Sequence, residues 1–148
     1  MSRSILCAID FSEPSRAAVH VAADLARERN AALELVYVED RPLWESEPYL
    51  HLPGDVRQRA LDAAERELEV WRREAEQRAR VHVVTRIVDG SPWEQIVAIA
   101  NADPSIDTIV LGTHGRSGVA RALIGSVAER VVRHAPCSVL VVRPQRDH

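Results

Sequence analysis

The sequence predicts an α/β fold, an open parallel five-stranded sheet with helices on both faces, in the Rossmann-like manner. Three observations point there. Short apolar runs alternate with helix-like segments along the chain. The second of these runs, Ala32 to Val38, shows little polar alternation, as in a sheet covered on both sides. A glycine-bearing segment falls between the fourth strand and the fourth helix. Strands that alternate with helices imply right-handed crossovers and a parallel sheet.

Taken in order, Ser4 to Ile9 reads as a short buried strand. Asp10-Phe-Ser-Glu-Pro-Ser15 is a turn with helix-start chemistry: Ser12 suits an N-cap, Glu13 the positive helix end and Pro14 the first turn. The helix that follows runs to about Arg29, with Ala18, Val21, Ala22 and Leu25 on one face. Ala32 to Val38 is a second strand. Glu39 to Gly54 carries Pro42, Pro48 and Pro53 with Trp44, Tyr49 and Leu52, and reads as a long loop. Loops of this length often serve function. Asp55 to Ala79 is a charged helix with Leu61, Ala64, Leu68, Trp71 and Ala75 as its buried stripe and its Glu and Arg residues in solvent.

Val81 to Val88 is the third strand. Asp89-Gly90-Ser-Pro92 turns the chain into a helix that reaches about Ala100. Thr108 to Leu111 is the fourth strand, Val127 to Arg133 the fourth helix, and Cys137 to Val142 the fifth strand, with Pro136 ending the helix before it. No internal repeat or low-complexity segment interrupts this pattern.

Length and composition narrow the function. The 148 residues fit one domain, and 46% hydrophobic with 28% charged residues fits a globular chain with a full core. The net charge of -3 and isoelectric point near 6.1 argue against a nucleic-acid binder, which carries a basic patch or stripe. No apolar run approaches the roughly 20 residues that span a bilayer. The N-terminus enters an apolar strand without the long apolar core and cleavage site of a secretory signal, so a cytoplasmic location is expected. Cys7 and Cys137 read as buried free thiols, since two distant cysteines in or beside apolar runs suit neither a metal site nor a disulfide. All 19 basic residues are arginine, which removes a Walker A lysine and Schiff-base chemistry.

The richest segment is Thr108-Ile-Val-Leu-Gly-Thr-His-Gly-Arg-Ser-Gly-Val-Ala-Arg-Ala-Leu-Ile-Gly-Ser126. Glycines let backbone approach a ligand without a Cβ in the way. A helix N-terminus offers unpaired N–H groups and a partial positive charge, which suit phosphate. Ligands of parallel sheets bind beyond the carboxyl ends of strands, where the strand order reverses. Asp10, Val38 and Gly112 end the first, second and fourth strands, and share one rim if the first and fourth strands are neighbours.

These segments resemble the universal stress protein family over nearly the whole chain. Ile5-Leu-Cys-Ala-Ile-Asp10 followed by Ser12-Glu-Pro-Ser15 is similar to its opening strand and turn, and Gly90-Ser-Pro-Trp-Glu94 to its third-strand-to-helix turn. Gly112-Thr-His-Gly-Arg-Ser-Gly118 and Gly125-Ser-Val-Ala-Glu-Arg-Val-Val-Arg-His-Ala-Pro-Cys137 resemble its signature, with the Gly-x2-Gly-x9-Gly-Ser spacing of the ATP-binding branch. Ser138 departs from it, because relatives often carry proline there.

The resemblance implies strand order 3-2-1-4-5, in the adenine nucleotide alpha hydrolase-like arrangement, and ATP with Mg²⁺ or Mn²⁺ at the switch point. Carried over position by position, it sets Ala8 and Asp10 on the adenosine side and the Val38 backbone against adenine. Gly112 and Gly115 approach ribose and phosphate. Gly125, Ser126 and Val127 offer N–H groups to the phosphates, and Ser126 also its hydroxyl. His114, Arg116 and Arg121 are open between phosphate contact and solvent, and Arg116 is carried forward as a candidate. The Glu39–Gly54 loop aligns with no motif, and Trp44 and Tyr49 there read as packing on the long helix rather than shielding the nucleotide.

Asp10 has two readings, a cap for the Ser12-Glu13 turn or a ligand to a ribose hydroxyl or metal-linked water; the ligand reading is preferred. No metal is expected on protein side chains alone. No nucleophile–base–carboxylate set and no His/Cys cluster with metal spacing is visible, so no residue is assigned to catalysis. The leading expectation is a nucleotide-responsive stress-response module. A slow ATPase or phosphotransferase and a dimeric interaction domain that binds no nucleotide are the alternatives. A homodimer through Val139–Val142 is expected, since an uncovered apolar edge strand is a pairing hazard. Neither nucleic acid nor membrane is expected as a partner.

Overall fold

Five apolar segments form one parallel sheet in the computed structural model, which describes residues 2–40, 54–113 and 124–145. The strands are β1 (Ser4–Ile9), β2 (Ala32–Glu39), β3 (Val83–Asp89), β4 (Ile106–Gly112) and β5 (Ser138–Val142). The helices are α1 (Glu13–Arg29), α2 (Gly54–Ala79), α3 (Pro92–Ala102) and α4 (Ser126–His134). The sheet order is β3-β2-β1-β4-β5. β1 is therefore central and pairs in parallel with both β2 and β4. The expected switch point lies between β1 and β4.

Helices cover both faces, which is why the central strands read as continuous apolar runs. On one side Ile5, Cys7, Leu33, Leu35 and Val110 form a core with Ala18, Ala22, Leu68 and Trp71 of α1 and α2. On the other, Leu6, Val36, Ile109 and Leu111 pack with Ile96, Ile99, Ala128 and Val131 of α3 and α4. Fully buried aliphatic side chains such as Ile5 and Leu6 each contribute about 1.5–3 kcal/mol of transfer free energy.

Helix ends follow their local chemistry. Ser12 caps α1, its Oγ accepting from the Ser15 amide at 3.3 Å. Asn30 ends the helix in the left-handed region, with φ 51°. Gly90 turns β3 into α3 at φ 131°, a conformation that favours glycine.

Several boundaries differ from the sequence expectation. β2 continues through Glu39, and Gly54 already belongs to α2, so the stretch expected as loop is shorter at both ends. β3 begins at Val83 rather than Val81, because Arg80 takes a left-handed φ of 55° after the helix ends. α1 buries Val19, Ala23 and Ala26 beside Ala18 and Ala22, while Val21 and Leu25 pack at the margin of the core. A face of alanines lets the helix backbone lie close to the sheet and leaves the larger side chains at its flanks. α2 buries Leu68, Trp71, Ala75 and Ala79. Leu61 and Ala64 are only partly covered, because the helix joins the core through its C-terminal half. Among the described residues, no helix is long and apolar enough to cross a membrane.

Candidate functional site

Three chain reversals meet at the carboxyl rim of the sheet. β1 ends at Ile9, directly before Asp10, β2 ends at Glu39, directly after Val38, and β4 ends in Gly112. In register, Ile9 lies opposite Tyr37, one residue before Val38, and Cys7 lies opposite Val110, two residues before Gly112. Ala8 and Val38 belong to the apolar layer beneath α3 and α4, with Val127 packed against it. The residues expected at the adenosine side therefore share a rim with the start of α4.

The β4–α4 connection is anchored at both ends. The Thr113 amide donates to the Val142 carbonyl at 3.0 Å, and the Gly125 amide donates to the Thr113 carbonyl, so the Gly125 N–H expected for phosphate is instead spent within the frame. Thr113 is 3% exposed. Through it, β4, β5 and the first residue before α4 are tied together, which sets the N-terminus of α4 at the end of the sheet. Gly125 is the N-cap of that helix and supplies no side-chain cap bond. Its φ of -59° and ψ of 159° are open to any residue, so glycine here is not demanded by backbone angle. A helix that starts on a residue without a side chain presents its first-turn N–H groups to whatever lies in front.

Gly112 has a structural cause of its own. A Cβ on it would stand 2.7 Å from the Pro14 carbonyl carbon and 2.8 Å from the Pro14 oxygen. The first turn of α1 is seated against the end of β4, and glycine permits that approach.

The α1 start also engages Asp10. Its Oδ1 accepts from the Ser12 amide at 3.0 Å and from the Ser12 hydroxyl. The Asp10 amide donates to Ser15 Oγ at 3.3 Å, and Ser15 Oγ donates to the Ser12 carbonyl at 3.1 Å. These contacts are those of the capping reading of Asp10. Phe11 makes the reversal with φ 64°. Its ring is held by Tyr37 at 4.8 Å and edge-on by Trp71 at 5.4 Å.

The structure thus brings together Ala8, Asp10, Val38, Gly112, Gly125, Ser126 and Val127 around one rim. Gly115 and Arg116 lie outside the described residues, as do His114, Arg121, Trp44 and Tyr49. Sequence reasoning missed Thr113, Ser15 and the Pro14 backbone as parts of the site's frame. A hydroxyl residue one position past a strand-ending glycine was the available signal for Thr113. Among the described residues no group of three His, Cys, Asp or Glu side chains is arranged to hold a metal ion. Of the two cysteines expected as buried thiols, Cys7 is buried, and burial pushes its pKa up, whereas Cys137 is only half-buried, its pKa raised by burial and then by Asp107.

Comparison with known proteins agrees with this frame. The model of the Universal stress protein family matches residues 1–143. A relative from Staphylococcus haemolyticus (strain JCSC1435), named for that family, is 33% identical over 143 residues, covering 97% of this chain and 86% of its own. The solved universal stress protein UspA from Lactobacillus plantarum superposes with a TM-score of 0.79 at 31% identity, covering 95% of this chain and 97% of that one. A universal stress protein solved in complex with cAMP superposes with a TM-score of 0.67 at 26% identity, over 97% of this chain and 98% of the other.

Proposed function

The chain belongs to the universal stress protein family, and from that premise we propose that it is an ATP-binding, nucleotide-responsive module of the stress response. The observation that carries the reading is the side-chain-free start of α4 at Gly125, on the same rim as Asp10 and Val38. The relative solved with cAMP supports an adenine nucleotide as the class of ligand.

In this reading the Val38 backbone and the apolar layer around Ala8 receive adenine, and Asp10 receives a ribose hydroxyl. The N–H groups of Ser126 and Val127, with the Ser126 hydroxyl, receive phosphate, and Gly125 contributes by lacking a side chain, since its own amide is held by the Thr113 carbonyl. Gly112, Gly115 and Arg116 complete the ribose and phosphate side. Charge at a helix end is worth about 0.3–1 kcal/mol when exposed and up to about 2 when partly buried. Micromolar affinity needs about 8 kcal/mol, so burial of adenine and several direct hydrogen bonds must provide most of it. Mg²⁺ or Mn²⁺ fits as an ion carried by the phosphates. The described residues offer it no cluster of side chains, so its contact with the protein falls to Asp10 through water.

A homodimer joined at β5 belongs to the same proposal. β5 is the edge of the sheet, with Leu140 38% exposed, and pairing two such edges removes an open row of backbone groups. The experiment is mass spectrometry of small molecules released when the natively purified protein is denatured. An adenine nucleotide in stoichiometric amount supports the reading. A nucleotide-free protein that shows no thermal shift with ATP–Mg²⁺ contradicts it.

A further inference from the structure

The first turn of α1 holds Asp10 with more contacts than capping that helix requires. An N-cap needs only a side-chain oxygen that accepts from a first-turn amide. Ser12 Oγ does this with the Ser15 amide at 3.3 Å. The single hydroxyl hydrogen of Ser12 is left over from that task, and it goes to Asp10 Oδ1. The Ser12 amide adds a second bond to the same oxygen at 3.0 Å.

The surroundings make this grip rigid. Phe11 reaches Ser12 through a left-handed φ of 64°, an uncommon conformation for a bulky residue, and its ring is packed by Tyr37 and Trp71. Ser15 is 4% exposed and bonds both the Asp10 amide and the Ser12 carbonyl. Pro14 is braced against Gly112. A carboxylate oxygen bonded twice within such a turn has lost its freedom to rotate before any ligand arrives. Ordering done in advance lowers the entropy lost on binding.

We infer that Ser12 is a positioning residue, whose hydroxyl sets the Asp10 carboxylate in the orientation that receives a ligand hydroxyl. The inference rests on the nucleotide-binding reading of the site. Ser12 acts through Asp10, so its effect on affinity must vanish when the carboxylate is gone.

A double-mutant cycle on the full chain, read by titration calorimetry with ATP–Mg²⁺, tests this. Ser12→Ala should weaken ATP about tenfold when Asp10 is present, the scale of one lost charge-assisted hydrogen bond. In the Asp10→Ala background the same change should leave affinity unaltered. Ser12→Thr keeps a hydroxyl and should restore binding. Alanine is a poor N-cap and glycine a tolerated one, so Ser12→Gly repeats the cycle should Ser12→Ala fail to fold. Equal weakening in both backgrounds overturns the positioning role, as does unchanged affinity in Ser12→Ala or Ser12→Gly. A wild-type chain that does not bind ATP overturns the nucleotide reading and this role together, whereas an Asp10→Ala chain that binds ATP unchanged overturns the roles of Asp10 and Ser12 alone.

Discussion

Gly112 and Pro14 lie back to back: a Cβ on the glycine would stand 2.7 Å from the proline carbonyl carbon and 2.9 Å from its Cβ. The contact joins the end of β4 to the first turn of α1, across the point where the sheet reverses its order. It makes the glycine at the head of the phosphate-friendly segment a packing requirement, whatever its role toward a ligand.

Gly112→Ala should therefore destabilise the fold itself. The Pro14 atoms it would meet are backbone and a rigid ring, so the added methyl group cannot be absorbed by a rotamer change. Overpacking of this kind costs about 1–3 kcal/mol, which for a chain of this size lowers the melting temperature by several degrees, roughly 2–4 °C per kcal/mol. Thermal denaturation of the nucleotide-free protein measures it. An unchanged melting temperature would mean that α1 and β4 do not meet as described.

Stability should fall on acidification through His20. This residue lies on α1 between Arg16, which pairs with Glu74 at 2.7 Å, and Asp24, which pairs with Arg78 at 2.8 Å. Burial first, then the charges of Arg78 and Arg16, hold its imidazole below the usual value near 6.5, against the opposing pull of Glu74 and Asp24. The unfolded chain then binds a proton at a higher pH than the folded one. His20's contribution is fully present above about pH 6.5 and is lost as pH falls toward the lower folded value. Denaturant midpoints across that window should decline in the wild type and decline less in His20→Gln. Parallel declines would remove His20 from the account.

The two thiols should differ in reactivity. Cys7 is fully buried, with its pKa pushed up by that burial, while Cys137 is only half-buried. The thiolate is the reactive form. Alkylation of the native protein followed by peptide mapping should modify Cys137 first and leave Cys7 untouched until denaturant is added. Native labelling of Cys7 would contradict its place in the core.

The fold was largely legible because its signals are periodic and local. Ile5-Leu-Cys-Ala-Ile9 and Thr108-Ile-Val-Leu111 are apolar without alternation, and Ser12 with Pro14 marks a helix start in any context. Boundaries were less legible where backbone conformation decided them, as at Arg80. For the site, the placement of Asp10, Val38 and the start of α4 on one rim followed from topology. The capping reading of Asp10 anticipated its bond from the Ser12 amide, whereas the bond from the Ser12 hydroxyl and the wedge of Pro14 on Gly112 had no signal in the residues. Both depend on the left-handed turn at Phe11 and on how closely α1 settles on β4, which are tertiary facts.

The most direct test of the account is ATP–Mg²⁺ calorimetry on the wild-type chain and on Gly125→Val. The backbone at Gly125, φ -59° and ψ 159°, accepts a side chain, so the variant should fold and put its side chain where phosphate is expected. The wild type should bind saturably, and a folded Gly125→Val should lose at least about tenfold in affinity, or roughly 1.4 kcal/mol. Equal affinity in the two proteins would contradict the assignment of the α4 N-terminus as the phosphate site.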